Sequence, residues 1–266
     1  MDALSRERHT PTVGGLAATG VSVRAGQREL VRELAVEFTP GEMLAILGRN
    51  GSGKTLTLHT LAGLRAPDAG TVSLEGAALP QWRRRALALY LGLLPQDLEE
   101  GFVSTAIETV LIGRHPHLSL WQWESARDEL IAREALRAVD LEGFAARRTD
   151  TLSGGEQRRL SIAALLAQQP RIFLLDEPTN HLDPHHQLAV LALFRSLADS
   201  GSTIVTTLHD PTLAARFADR VLLLYGDGSW RLGPVATTLT AATLSELYLT
   251  AMVELGGDGR RVFVTA

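Results

Sequence analysis

Gly48-Arg49-Asn50-Gly51-Ser52-Gly53-Lys54-Thr55 is the stretch on which the reading of this chain turns. It fits the spacing G-x-x-x-x-G-K-[ST], follows the unbroken apolar run Met43 to Leu47, and opens Thr55 to Ala62, which reads as a short helix stopped by Gly63. An apolar run without alternation, entered through Pro40-Gly41-Glu42, suits a strand buried on both faces, as in a parallel sheet. The glycines let backbone N–H groups turn inward around a phosphate, and the start of the next helix adds its positive dipole end. In that geometry Lys54 reaches the β- and γ-phosphates of a nucleotide and the Thr55 hydroxyl coordinates Mg²⁺.

Outward from the loop, Val21 to Val23 and Leu34 to Phe38 alternate apolar with polar residues around a turn at Gly26, and Thr71 to Leu74 alternates again after the turn Pro67 to Gly70. From Phe102 to about Leu166 the pattern becomes helical. Within it, Ala126 to Val139 sets Leu130, Ile131, Ala135, Leu136 and Val139 at helical spacing. Strands return at Ile172 to Leu175, Thr203 to Leu208 and Val221 to Tyr225, separated by helices at Gln187 to Ala198 and Pro211 to Phe217. Strands alternating with helices predict an α/β core, here with an inserted helical lobe. Past Leu239 the sequence predicts a helix near Thr243 to Leu249 and two short strands, Ala251 to Leu255 and Arg261 to Val264, around Gly256 to Gly259.

At 266 residues the chain has the length of one large domain or a core plus a lobe, taking roughly 150 residues per domain. Hydrophobic residues at 45% and charged residues at 21% disfavour disorder and coiled coil. Lys and Arg (26) against Asp and Glu (30) leave a net charge of -4, which argues against a surface given over to nucleic-acid phosphates. The count of zero cysteines excludes disulfides, zinc ribbons, iron–sulfur clusters and thiolate catalysis together. The longest apolar runs are strand-length, and Met1 to Pro11, with no apolar h-region, reads as a frayed tail rather than a secretory signal.

A phosphate loop needs a carboxylate at the end of a second buried strand, on the far side of the metal. Ile172-Phe173-Leu174-Leu175-Asp176-Glu177 supplies one. Asp176 is placed to bind Mg²⁺ through its water shell, and Glu177 beside it to take a proton from the water that attacks the γ-phosphorus. A third segment, Leu152-Ser153-Gly154-Gly155-Glu156-Gln157, precedes an amphipathic helix running to about Gln168. Ser153 and Glu156 form a capping-box pair, but a plain cap needs no Gly154-Gly155, since glycines cost helix stability. The pair makes sense where a phosphate must approach that helix start closely.

These motifs together resemble the ATP-binding subunits of ABC transporters, over about Leu16 to Tyr248 and in the expected order. The resemblance implies a P-loop NTPase cassette of α/β class: a mixed-sheet core, an N-terminal antiparallel β subdomain and an inserted α-helical subdomain. It divides the chain into a tail (1–12), the ATP-binding domain (13–238, lobe about 100–168) and a C-terminal helix with short strands (239–266). By that resemblance Gly48 to Thr55 is the Walker A loop, Gln96 the Q-loop glutamine, also at the Mg²⁺, and Leu152 to Glu156 the signature. Asp176 and Glu177 end Walker B, Asn180 to Asp183 form the D-loop, and His209 is the switch histidine. It implies ATP and Mg²⁺ as ligands and a second copy of the chain as partner, head to tail, with Ser153, Gly154, Gly155 and Glu156 of one chain completing the ATP site of the other. Glu177 is then the general base, His209 contacts the γ-phosphate, and Gln96 links the metal site to the lobe. One departure stands out: family members stack adenine on an aromatic ahead of the loop, where this chain has Ala25 and, adjacent, Arg24. Missing stacking, worth roughly 1 to 3 kcal/mol in other nucleotide contexts, predicts weaker ATP affinity or looser base selectivity, with the Arg24 guanidinium as the available substitute.

Thr105 to Trp121 contains Gly113-Arg114-His115-Pro116-His117, similar to a segment of the ATPases that serve iron-siderophore, haem and cobalamin importers. That likeness implies polytopic permease subunits as partners, indirectly a substrate-binding protein, no nucleic acid, and a place on the cytoplasmic face of the cell membrane. Trp121 and Trp123 are candidates for the permease contact, or equally for the core. The alternatives are a soluble ABC ATPase acting on nucleic acid or ribosomes, and the ATPase of an exporter. His115 with His117 and His185 with His186 have no third ligand at metal-binding spacing, and Arg83 to Arg85 and Arg147-Arg148 read as solvated faces.

Overall fold

The computed structural model describes residues 15–96, 104–119, 123–257 and 260–266. The chain begins with β1 (Leu16–Ala25), β2 (Arg28–Phe38) and β3 (Met43–Gly48), then α1 (Lys54–Leu61), β4 (Ala69–Leu74), β5 (Ala77–Ala78), α2 (Arg84–Ala88) and β6 (Leu91–Leu94). A helical stretch follows with α3 (Ala106–Ile112), α4 (Ala126–Ala138) and α5 (Gly154–Gln168). The chain then alternates through β7 (Ile172–Leu175), α6 (Pro184–Asp199), β8 (Thr203–Thr207), α7 (Pro211–Phe217), β9 (Arg220–Leu224) and β10 (Trp230–Pro234). It closes with α8 (Val235–Thr238), α9 (Ala241–Tyr248), β11 (Met252–Gly257) and β12 (Arg260–Thr265).

Every residue of β3 is buried, as its unbroken apolar run requires, because β8 and β9 flank it in parallel register, Met43 opposite Ile204 and Leu44 opposite Arg220. The main sheet runs β10-β9-β3-β8-β7-β6, parallel except for β10, which pairs antiparallel with β9. The strand period of two divides β3 between the two apolar clusters. Met43, Ala45 and Leu47 face the cluster shared with the helical stretch, α6, α7 and the tail; Leu44 and Ile46 face the one shared with α1 and a second, antiparallel sheet, β2-β1-β4-β5.

In the helical stretch, Gly113 lies so close to α5 that an added Cβ would come within 2.1 Å of the Ala164 carbonyl oxygen. Next to it Arg114 is buried and donates to Asp128 at 2.9 Å, to the Ala167 carbonyl at 2.8 Å and to Gln169 at 3.0 Å. The face that α4 buries is Asp128, Ala132, Ala135 and Leu136. Leu130 is off that face and 57% exposed, contrary to its apolar spacing, because it lies two residues, about 200° of helix, from Asp128. The tail forms the helix and the two strands, which pair as one hairpin, β11 with β12.

Candidate active site

The loop after β3 must turn tightly, and Gly48 shows why that residue is glycine: a Cβ would fall 2.3 Å from Ser52 Oγ and 2.6 Å from the Leu224 carbonyl oxygen. Gly53, at φ 100°, starts α1 from a left-handed conformation that a side chain would strain. Arg49, Asn50 and Gly51 are exposed at the tip, while Ser52 and Lys54 are buried. Lys54 folds back so that its ammonium donates to the carbonyls of Gly48 at 3.0 Å and Arg49 at 3.4 Å. Burial pushes its pKa below the ordinary lysine value, with the Glu177 and Asp176 carboxylates pulling the other way.

Strand pairing brings the acidic pair to this loop. Leu94 of β6 stands opposite Leu175 of β7, the Asp176 N–H donates to the Leu94 carbonyl at 2.9 Å, and the Thr55 hydroxyl reaches Gln96 Oε1 at 3.5 Å. Asp176 is fully buried. Thr207, at the end of β8, donates its hydroxyl to Asp176 Oδ1 at 2.6 Å and accepts the Glu177 N–H at 2.8 Å. Asp176 Oδ2 is buried with no hydrogen-bond partner. An orphaned carboxylate oxygen is costly, and with the Thr55 hydroxyl and Gln96 Oε1 it makes the all-oxygen set that a hard divalent cation prefers. These residues therefore fit Mg²⁺.

Glu177 is 5% exposed and sits at φ 48°, an uncommon conformation for a residue with a side chain. His209 Nε2 lies 2.5 Å from Glu177 Oε1, and the Asn180 amide donates to Oε2, so both carboxylate oxygens are held. The backbone is held too. Arg158, on α5 and fully buried, donates to the carbonyls of Asp176, Glu177 at 2.8 Å, Pro95 at 2.5 Å and Gln96 at 3.4 Å. One guanidinium thus fixes the chain at both strand ends.

The signature residues stand apart from this cluster. Ser153 caps α5, accepting the Glu156 N–H at 3.3 Å while Glu156 accepts the Ser153 N–H at 2.7 Å, which holds the Glu156 carboxyl below its ordinary pKa. A Cβ on Gly155 would come within 3.1 Å of the His181 carbonyl, whereas one on Gly154 would meet nothing. Among the described residues no hydrogen bond joins Ser153, Gly154, Gly155 or Glu156 to Gly48–Thr55 of the same chain. Asp183 caps α6, accepting from His186 N–H at 2.9 Å, with His186 Nδ1 on its other oxygen. Arg24, at the end of β1, pairs with Glu29 at 3.6 Å and donates its N–H to Asp68 at 2.8 Å.

Trp123 is 86% exposed and Trp121 lies outside the described residues. The arginine runs do more than face solvent: Arg84 donates to the Gly63 carbonyl and Arg85 to that of Pro116, tying α2 to the loop after α1 and to the lobe. Arg158, Thr207 and the contact of Asn180 escape sequence reasoning. Arg158 and Arg159 look alike in sequence, and only the rotation of α5 sends one to the strand ends and the other to the Val139 carbonyl.

Comparison with known proteins agrees with this geometry. The family profile described as ABC transporter matches residues 31–180. The chain is 44% identical over 216 residues to the Hemin import ATP-binding protein HmuV of Gloeobacter violaceus, covering 79% of this chain and 78% of that protein. It is 39% identical to that of Pseudomonas entomophila, covering 88% and 92%. A solved inward-facing structure described as a metal-chelate type ABC transporter superposes with TM-score 0.82 at 27% identity, over 95% of this chain and 98% of that one. The dimeric cassette MJ0796 bound to ADP and Pi superposes with TM-score 0.72 at 27% identity, over 83% and 98%. The phosphate loop, the buried acidic pair and these likenesses converge: the chain belongs to the ABC transporter family, as an ATP-binding cassette that hydrolyses ATP.

Proposed function

We propose that the chain is the ATPase subunit of a metal-chelate importer, with haem as the cargo its relatives' names indicate, working as a head-to-tail pair beneath polytopic permease subunits that a substrate-binding protein feeds. No described helix is long and apolar enough to cross a membrane, so the membrane contact is borrowed, from the cytoplasmic side, through the lobe that carries the exposed Trp123 and Ile112.

The observation that carries the chemistry is the capture of Glu177 between His209 and Asn180 on a constrained backbone. Lys54 and the loop amides of Gly48 to Gly53 bind the β- and γ-phosphates, whose negative charge opposes the lowering of the Lys54 pKa by burial. Thr55, Gln96 and Asp176 would hold Mg²⁺, which when bound would supply charge neutralisation at the phosphates. Glu177 orients a water in line with the γ-phosphorus and takes its proton. The water oxygen forms the new P–O bond as the bond to the β–γ bridging oxygen breaks, giving ADP and phosphate. His209 fixes Glu177 and meets the γ-phosphate from the other side, and Ser153, Gly154 and Gly155 of the second copy close the site with a helix N-terminus.

Glu177→Gln is expected to bind ATP normally and lose about 10² to 10⁴-fold in kcat, measured by nucleotide binding and phosphate release. Retention of more than about a tenth of the activity rejects Glu177 as the base. Co-purification with a polytopic membrane protein tests the importer assignment; a soluble particle carrying nucleic acid overturns it.

A further inference from the structure

β8 is a buried parallel strand that ends in two hydroxyls. Ile204, Val205, Thr206 and Thr207 are all buried, and a strand enclosed on both faces is ordinarily apolar throughout. A hydroxyl taken out of water costs free energy unless it finds partners. The two threonines meet that cost differently. Thr206 makes a long contact with the Thr207 carbonyl, 3.4 Å. Thr207 is used twice, donating to Asp176 Oδ1 at 2.6 Å and accepting the Glu177 N–H at 2.8 Å. A hydroxyl has a single proton to donate, so that of Thr207 is committed to Asp176.

This commitment sorts the two oxygens of Asp176. Oδ1 is tied to the end of β8, and Oδ2 is buried without a hydrogen-bond partner. Pairing of β7 with β8, Leu175 opposite Thr206, brings the two strand ends together, and Arg158 donates to the Asp176 carbonyl. The residue is thus held at its backbone and at one carboxylate oxygen, which stops the carboxylate from turning about its own bonds. Without the hydroxyl neither oxygen has a donor among the described residues. Two residues on, His209 holds the Glu177 carboxylate, so the end of β8 grips both acidic residues.

We infer that Thr207 is a positioning residue: its hydroxyl, rather than its bulk, orients the Asp176 carboxylate so that Oδ2 serves the cation. The inference rests on the assignment of Asp176 to Mg²⁺ made above. Partners that hydrogen-bond a metal-binding carboxylate set its orientation, and their loss costs about 10- to 100-fold in metal affinity or activity.

The test separates hydroxyl from bulk. Thr207→Val keeps the shape and loses the hydroxyl, whereas Thr207→Ser keeps the hydroxyl and loses the methyl. In full-length protein with AMP-PNP in place of ATP, the Mn²⁺ concentration that half-fills the ternary complex is read from water-proton relaxation. Thr207→Val is expected to raise it about 10- to 100-fold. Thr207→Ser is expected to stay close to the parent, and so is Thr206→Val, the same change one residue away. A parent-like Thr207→Val, a loss in Thr207→Ser as large as that in Thr207→Val, or an equal loss in Thr206→Val overturns the positioning role. Asp176→Asn separates that role from the assignment beneath it. If Asp176→Asn loses Mn²⁺ while Thr207→Val does not, the positioning role falls and the assignment stands; if Asp176→Asn binds Mn²⁺ like the parent, both fall. Where Thr207→Val does not fold, Thr207→Cys, a weak donor of similar size, takes its place with the same expectation.

Discussion

Arg158 is buried, and its guanidinium meets the carbonyls that end β6 and β7. Removing it leaves several buried acceptors without donors, each costing about 1–3 kcal/mol, and releases the left-handed backbone of Glu177. Arg158→Met is accordingly expected to lose about 3–5 kcal/mol of stability in chemical denaturation. Arg158→Lys, keeping the charge but not the planar fork, is expected to fold and to lose kcat more than ATP affinity; an unchanged kcat refutes the positioning role. At the nucleotide base the prediction runs the other way. With Arg24 paired to Glu29 in place of an aromatic, ATP and GTP are expected to bind within about tenfold of each other, and strong discrimination in a competition assay would contradict that.

At the scale of elements, the helical lobe is locked by a buried ion pair between the Arg114 turn and the start of α4. Asp128 accepts from the Ser125 hydroxyl and N–H and from Arg114, and these hold its carboxyl at about 2, against 3.8 for the free side chain. A depressed carboxylate stabilises the fold above its unfolded pKa and loses that contribution as pH falls through the folded value. The pair is therefore expected to give about 1–2 kcal/mol at neutral pH, nearly complete above about pH 4, falling away as the pH drops toward about 2 and lost below it. Asp128→Asn should flatten that part of the acid-denaturation curve. The segment whose likeness pointed to metal-chelate importers thus owes its Gly113 and Arg114 to packing within the lobe, close approach for one and hydrogen bonding for the other.

For the whole molecule, the α5 N-terminus and the phosphate loop share no hydrogen bond within one chain among the described residues, and the head-to-tail pair proposed above predicts that a second copy brings them together. Ser153→Arg is expected to abolish hydrolysis while leaving the melting curve unchanged, and normal turnover would remove the argument for a shared site. The alternation of strands and helices, the inserted lobe and the tail hairpin were all legible in the sequence, because each rests on local periodicity and turn chemistry. The failure at Leu130 has the same origin: helical spacing names two possible faces, and only the packing of α4 against α3 and α5 selects one.

The sequence by itself determined the phosphate loop, the acidic strand end and the family, since these depend on residue types at short fixed spacings that backbone geometry demands. Only the tertiary structure decided which side chains hold the site: the clamp of Arg158, the Thr207 bridge, and Asn180 and His209 on either side of Glu177. Apart from the local contact of Asn180, three residues on from Glu177, those contacts join segments far apart in the chain, brought together by parallel strand pairing and by the packing of α5, and no local pattern encodes which of two adjacent arginines a helix turns inward.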